Sequence, residues 1–167
     1  MTFLVDFLVS AIVNSQFIRG GKKLNDTQLI NTYFPLAVKY GDLYSIPSGL
    51  ILAVIKQESG GNFRAVGGTG DFGLMQITKP ALTDFNYGTG KNYSLLSMLS
   101  PEKCIEVGSW YLYHLSIMLG KTDWQLILRA YNAGIGRIST SNDAGLSYAN
   151  SVLIYWETFK PLLTRGI

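Results

Sequence analysis

Two carboxylates stand in positions from which acid–base chemistry is possible. Glu58 comes just after a run of six apolar residues, Leu50 to Ile55, with only Lys56 and Gln57 between. On a helix, a carboxylate so placed is desolvated on one side, which disfavours its charged form and raises its pKa. A carboxylic acid still protonated near neutral pH can serve as a general acid toward a glycosidic oxygen. The plainer reading of Glu58 is a helix-end glutamate in solvent or in a salt bridge. Asp71 follows thirteen residues later, in a glycine-rich stretch. Facing Glu58 across a cleft, it would hold a water and favour hydrolysis. Beside glycine it is also an ordinary turn residue.

Other chemistries are excluded by scarcity. His114 is the only histidine, which argues against a multi-histidine metal site and against a serine or cysteine triad. Cys104 is the only cysteine, so there is no internal disulfide framework. Lys and Arg number 14 against 11 Asp and Glu, a net charge of +3. That excludes a strongly basic nucleic-acid arm, and no nucleic-acid partner is expected, but it suits weak attraction to anionic polymers. With 167 residues, 47% hydrophobic and 15% charged, the chain can bury one domain's core without staples.

The elements that position these residues read as helices separated by glycine-rich connections. Residues 32–44 space Phe34, Ala37, Tyr40 and Tyr44 as a helix, with Pro35 in its first turn. Pro47 opens a second helix, which carries the apolar run into Glu58. Six glycines between Gly60 and Gly73 predict loop, with a short hairpin at most in residues 65–77. Ser100-Pro101-Glu102 reads as an N-cap, a first-turn proline and an acidic first turn, and Gly120 stops that helix. Thr122 to Gln125 reads as a capping box for a helix running into Asn132. Tyr148, Val152, Tyr155 and Phe159 form a last stripe.

Three segments, taken in order, carry a resemblance. They are Gln57-Glu58-Ser59-Gly60, then Gly73-Leu74-Met75-Gln76-Ile77, then Ala130-Tyr131-Asn132-Ala133-Gly134. With Pro101-Glu102 before Ile105 and Gly108, and the closing tyrosine helix at Tyr148, this set resembles the soluble-type lytic transglycosylases. That family shares a lysozyme-like domain with goose-type lysozyme, and the resemblance spans residues 33–163. It implies a mainly α, lysozyme-like α+β fold with a short β-hairpin region beside the cleft. It implies Glu58 as the single catalytic acid/base, acting on peptidoglycan glycan strands between N-acetylmuramic acid and N-acetylglucosamine. The substrate's own acetamido group serves as nucleophile, the product is a 1,6-anhydromuramic end, and no cofactor or metal is needed. Alternatives within the same reading are hydrolysis by water, as in goose-type lysozyme, and a non-catalytic wall-binding component of a virion or secretion machine.

The resemblance also implies roles for other residues. Ser59 hydrogen-bonds Glu58 or the acetamido group, or else caps the helix. Gln76 binds a sugar amide or hydroxyl. Met75 packs on the acetamido methyl, or is simply buried. Asn132 bonds substrate or orients the Glu58 loop. Tyr131 brings its hydroxyl to the site from the core, and Tyr148 tunes Glu58 or belongs to the buried stripe. Lys56 and Arg64, near the cleft, either meet muramic or peptide-stem carboxylates or form a solvated face. One departure stands out: Cys104 sits where the family often has asparagine, and is expected as a small buried apolar residue.

Residues 1–24 are read as an apolar segment distinct from the domain at 25–167. Thr2 to Val13 is apolar but interrupted by Asp6, lacks a basic leader, and makes a poor signal peptide. A helix packed on the domain is the expectation. An interfacial membrane contact, with Arg19, Lys22 and Lys23 following, and a degraded export signal are the alternatives. The site of action implied is the cell envelope, periplasm or extracellular wall, and the gene setting suggested is a phage or mobile element.

Overall fold

The computed structural model describes residues 21–164. The N-terminal segment expected as a packed helix therefore lies, through residue 20, outside the described residues. Seven α-helices and one 3-10 helix (Leu95–Leu99) are present among the described residues. In chain order they are α1 (Asp26–Tyr44), α2 (Ser48–Ser59), α3 (Lys79–Thr89), α4 (Pro101–Leu119), α5 (Trp124–Ala133), α6 (Ile135–Ile138) and α7 (Leu146–Leu163).

The apolar run makes α2 the centre of the domain. Leu50 through Ile55 are all fully buried, because α2 is packed between α1 on one side and α7 on another. Each such side chain contributes about 1.5–3 kcal/mol by leaving water. Close approach to α7 depends on Gly49: a Cβ there would stand 3.0 Å from Trp156 Nε1 and 3.1 Å from Leu163 Cδ1. α4 joins the bundle through α1, α3 and α5, and α5 packs on α7.

The helix expected over 32–44 begins earlier, at Asp26. Asn25 caps it, its side chain accepting from Gln28 N–H while Gln28 reaches back to Asn25 N–H. Pro35 thus lies inside α1, where it removes one ladder hydrogen bond. The buried face is Leu29, Tyr33, Leu36, Ala37 and Tyr40, one residue out of phase with the expected Phe34. At α5 the cap is Asp123, which accepts from Gln125 N–H (2.9 Å) and Leu126 N–H (3.4 Å), so Thr122 lies outside the helix.

Where a short hairpin is expected, residues 65–77 form isolated antiparallel bridges, Val66 to Phe72 and Phe72 to Ile77. No strand forms among the described residues. The glycines explain the break: Gly70 and Gly73 take positive φ (83° and 80°) and turn the chain before a ladder can extend. No helix among the described residues is long and apolar enough to cross a membrane.

Candidate active site

Glu58 is the penultimate residue of α2, which ends at Gly60 in the left-handed conformation. The helix core holds its carboxyl in an apolar setting, and burial pushes its pKa from 4.5 up to about 7. The negative charge of Asp71 raises it further, while a hydrogen bond from Tyr148 lowers it. Tyr148, on the first turn of α7, donates its hydroxyl to Glu58 Oε1 at 2.6 Å. Burial, reinforced by Glu58, keeps the Tyr148 phenol protonated far above neutral pH. A protonated phenol can only stabilise the carboxylate form, so Glu58 has a charged state that is reachable as well as a neutral one that is favoured.

The glycine-rich motif is fixed to three helices at two adjacent residues. Ser59 Oγ, buried, donates to Leu74 C=O at 2.9 Å. Met75 N–H donates to Cys104 Sγ on α4 at 3.3 Å. Tyr131 on α5 donates its hydroxyl to Met75 C=O at 2.8 Å. The Tyr131 ring in turn stacks on Tyr148, with centroids 6.5 Å apart and planes 11° from parallel. All three sequence motifs and the closing tyrosine helix therefore meet around one short stretch of backbone.

Each residue singled out in the sequence has a definite place. Ser59 is turned into the protein; besides Leu74 it accepts from Gly61 N–H at 3.2 Å and closes the end of α2. Met75 is fully buried. Its sulfur lies in the groove left by Gly108, where a Cβ would stand 2.4 Å from Sδ, so it packs the motif from beneath and exposes no surface to a ligand. Gln76 holds the left-handed φ of 48°, unusual for a residue with a side chain. Its amide donates to Gly73 C=O (2.9 Å) and Ala65 C=O (3.3 Å), which braces the loop and leaves Oε1 beside Gly67. Asp71 Oδ2 lies on the same bare glycine, with the Thr69 hydroxyl 2.7 and 2.8 Å from its two oxygens. Asn132 is exposed at the end of α5 and makes no side-chain hydrogen bond among the described residues.

Residues outside the motifs complete the frame. Tyr33 on α1 is buried and donates to Gly61 C=O at 2.9 Å, just beyond Glu58. Leu24 N–H bonds Gly60 C=O at 2.8 Å. Tyr111 stands edge-on to Tyr131 at 5.7 Å and extends the aromatic row. Spacing marks Tyr33 and Tyr111 only as helical aromatics, and no local pattern signals Leu24. Cys104 is fully buried, and burial pushes its thiol up to about 12, so it stays neutral. His114 stacks on Trp110 at 4.7 Å, away from any carboxylate pairing. No group of three or more metal-ligating side chains occurs among the described residues.

A bundle built on one buried helix that ends in a desolvated glutamate, with a braced glycine loop and a tyrosine helix closing over it, defines a lysozyme-like domain. The family model described as the transglycosylase SLT domain matches residues 35–151, and the chain belongs to that family. Among curated relatives, the membrane-bound lytic murein transglycosylase F of Histophilus somni (strain 2336) is 32% identical over 159 residues, covering 81% of this chain and 31% of the relative. The soluble lytic murein transglycosylase of Escherichia coli (strain K12) is 34% identical over 127 residues, covering 67% of this chain and 19% of the relative. The chain thus spans less than a third of the length of these two relatives. A solved complex of the 70-kDa soluble lytic transglycosylase with bulgecin A superposes with TM-score 0.69 at 26% identity, over 81% of this chain and 26% of that one. The 70-kDa enzyme of Escherichia coli, at TM-score 0.70 and 24% identity over the same shares, agrees in fold.

Proposed function

We propose that the protein is a peptidoglycan lytic transglycosylase, cutting the β-1,4 bond between N-acetylmuramic acid and N-acetylglucosamine with Glu58 as its one acid/base. The observation that carries this reading is the state of Glu58: a carboxyl raised to about 7 that also accepts a 2.6 Å hydrogen bond from Tyr148. An acid–base pair shared by one group works best when its pKa lies near the working pH. The names of the curated relatives and the three ordered motifs support the same reaction.

In this reading protonated Glu58 gives its proton to the glycosidic oxygen as the bond to C1 breaks. The acetamido oxygen of the muramic sugar closes on C1 as an oxazolinium. The ionised carboxylate, held by Tyr148, then takes the proton of the C6 hydroxyl on the same sugar. O6 attacks C1, the acetamido group is released, and the 1,6-anhydro ring forms with Glu58 protonated again. Substrate assistance supplies the nucleophile for which most glycosidases use a second carboxylate. Asn132, exposed and unbonded among the described residues, and Gln76 Oε1 are the polar groups proposed to meet the sugars.

A second reading rests on Asp71, whose charge acts on Glu58. A carboxylate there can hold a water for direct hydrolysis. Mass spectrometry of digested sacculi separates the two. Anhydromuramic ends from the wild type, absent with Glu58→Gln, support transglycosylation. Reducing muramic ends that disappear in Asp71→Asn support hydrolysis. Equal wall binding with no cleavage by wild type or Glu58→Gln would leave a non-catalytic wall-binding component.

A further inference from the structure

The loop that joins the two carboxylates carries one charged residue, Arg64, between Glu58 and Asp71. Burial, Tyr148 and Asp71 account for the shift at Glu58, so the Arg64 charge is not used to stabilise the carboxylate. Of the two cations expected near the cleft, Lys56 is already neutralised by Asp26 at 2.6 Å. Arg64 is exposed and has no carboxylate partner among the described residues, and the same holds for Lys23. The Lys23 side chain lies along Gly60, with Cγ and Cδ 3.1 and 3.2 Å from where a Cβ would stand. Both cations thus border the turn that directly follows Glu58.

This border is held rigidly, unlike an ordinary solvated face. Leu24 N–H bonds Gly60 C=O, and Tyr33 bonds Gly61 C=O. Arg64 N–H bonds Asn62 Oδ1 at 2.9 Å, and Ala65 N–H bonds Asn62 C=O at 3.1 Å. The next carbonyl, Ala65, accepts from both Gly73 N–H and the Gln76 amide. The backbone around Arg64 is therefore fixed to the catalytic motif. The guanidinium lies over the Phe63 ring at 5.3 Å, a stacking that leaves its planar N–H edge open to a carboxylate.

We infer that Arg64 and Lys23 form a cationic rim that receives the carboxylates of peptide stems, so that the site favours stem-bearing over bare glycan. The inference rests on the glycan-strand reading above. The sugars of such a strand are otherwise neutral, and its carboxylates hang from the muramic lactyl branch. A stem projects away from the strand, so its partner must stand on an exposed rim beside the acid, where Arg64 and Lys23 are.

The test compares glycan strands with stems intact against the same strands freed of stems by an amidase. Binding is measured in a Glu58→Gln background, which reads the rim without turnover, and kcat/KM is measured in the active enzyme. Arg64→Gln and Lys23→Gln are each expected to weaken stem-bearing strands about threefold and the double variant about tenfold, the scale of exposed charge contacts. Bare strands should be unchanged, Arg64→Lys should keep most of the preference, and added salt should erase it. Equal loss on both strands, or no loss on either, overturns the inference. If the active enzyme cleaves neither strand but the Glu58→Gln background still prefers stems through Arg64, the rim stands and the proposed reaction falls.

Discussion

Replacing Glu58 by glutamine should stabilise the protein, and only at alkaline pH. The glutamate titrates at about 7 in the fold and near 4.5 when unfolded. Below 4.5 it is protonated in both states and costs nothing. Between 4.5 and 7 the unfolded chain releases the proton while the folded one keeps it, so stability falls as pH rises. Above 7 the full cost of the buried charge is present. The difference between 4.5 and about 7, at 1.36 kcal/mol per pH unit, comes to about 3 kcal/mol. Glutamine keeps an acceptor for Tyr148 and never ionises, so the variant escapes that cost. Thermal melts of wild type and Glu58→Gln should differ by a constant amount at pH 4 and diverge toward pH 8.5. For a chain of this size the divergence is about 6–12 °C. Every other titrating group is common to both proteins and cancels in the difference. Parallel curves across the whole range would refute the claim that Glu58 is desolvated, and with it the basis for its acid role.

Three further outcomes follow from the same geometry. Tyr148→Phe removes the hydrogen bond that favours the charged form of Glu58; the alkaline limb of kcat/KM should move up by about one to two pH units, read from a pH–rate profile. Asp71→Asn removes the charge that raises Glu58, and the same limb should move down. Gly108→Ala places a methyl 2.4 Å from the buried Met75 sulfur and should lower stability by about 1–3 kcal/mol, measured by urea unfolding.

The parts of this site written in local sequence are those set by local physics. Leu50 to Ile55 announce a buried helix, and a glutamate at its end is desolvated because the helix is. The glycines at 70 and 73 announce turns. The tyrosine that holds Glu58 lies 90 residues away, and no periodicity reports such a contact; only resemblance to a family pointed to Tyr148. Met75 looks like a cleft residue because its neighbours in the motif serve the site. Gly108, 33 positions on, makes the groove that draws it into the core. The one-residue phase error on α1 has a similar origin. Phe34 and Tyr33 are equally apolar on paper, and the choice falls to Tyr33 because its hydroxyl finds the Gly61 carbonyl. The hairpin expected beside the cleft gives way to isolated bridges because side-chain bonds from Gln76 and Thr69, invisible to strand patterns, hold the loop instead.

The backbone pair Leu74–Met75 has a kinetic consequence. Its three anchors reach across sequence separations of 15, 29 and 56 residues, and the Tyr148 bond closes a separation of 90. Helices nucleate locally and early, whereas such long loops close late. On refolding from denaturant, far-ultraviolet ellipticity should recover before glycan cleavage does. Chains that have regained their helices but not this clasp would be compact and inactive, so the catalytic centre doubles as a reporter of completed topology.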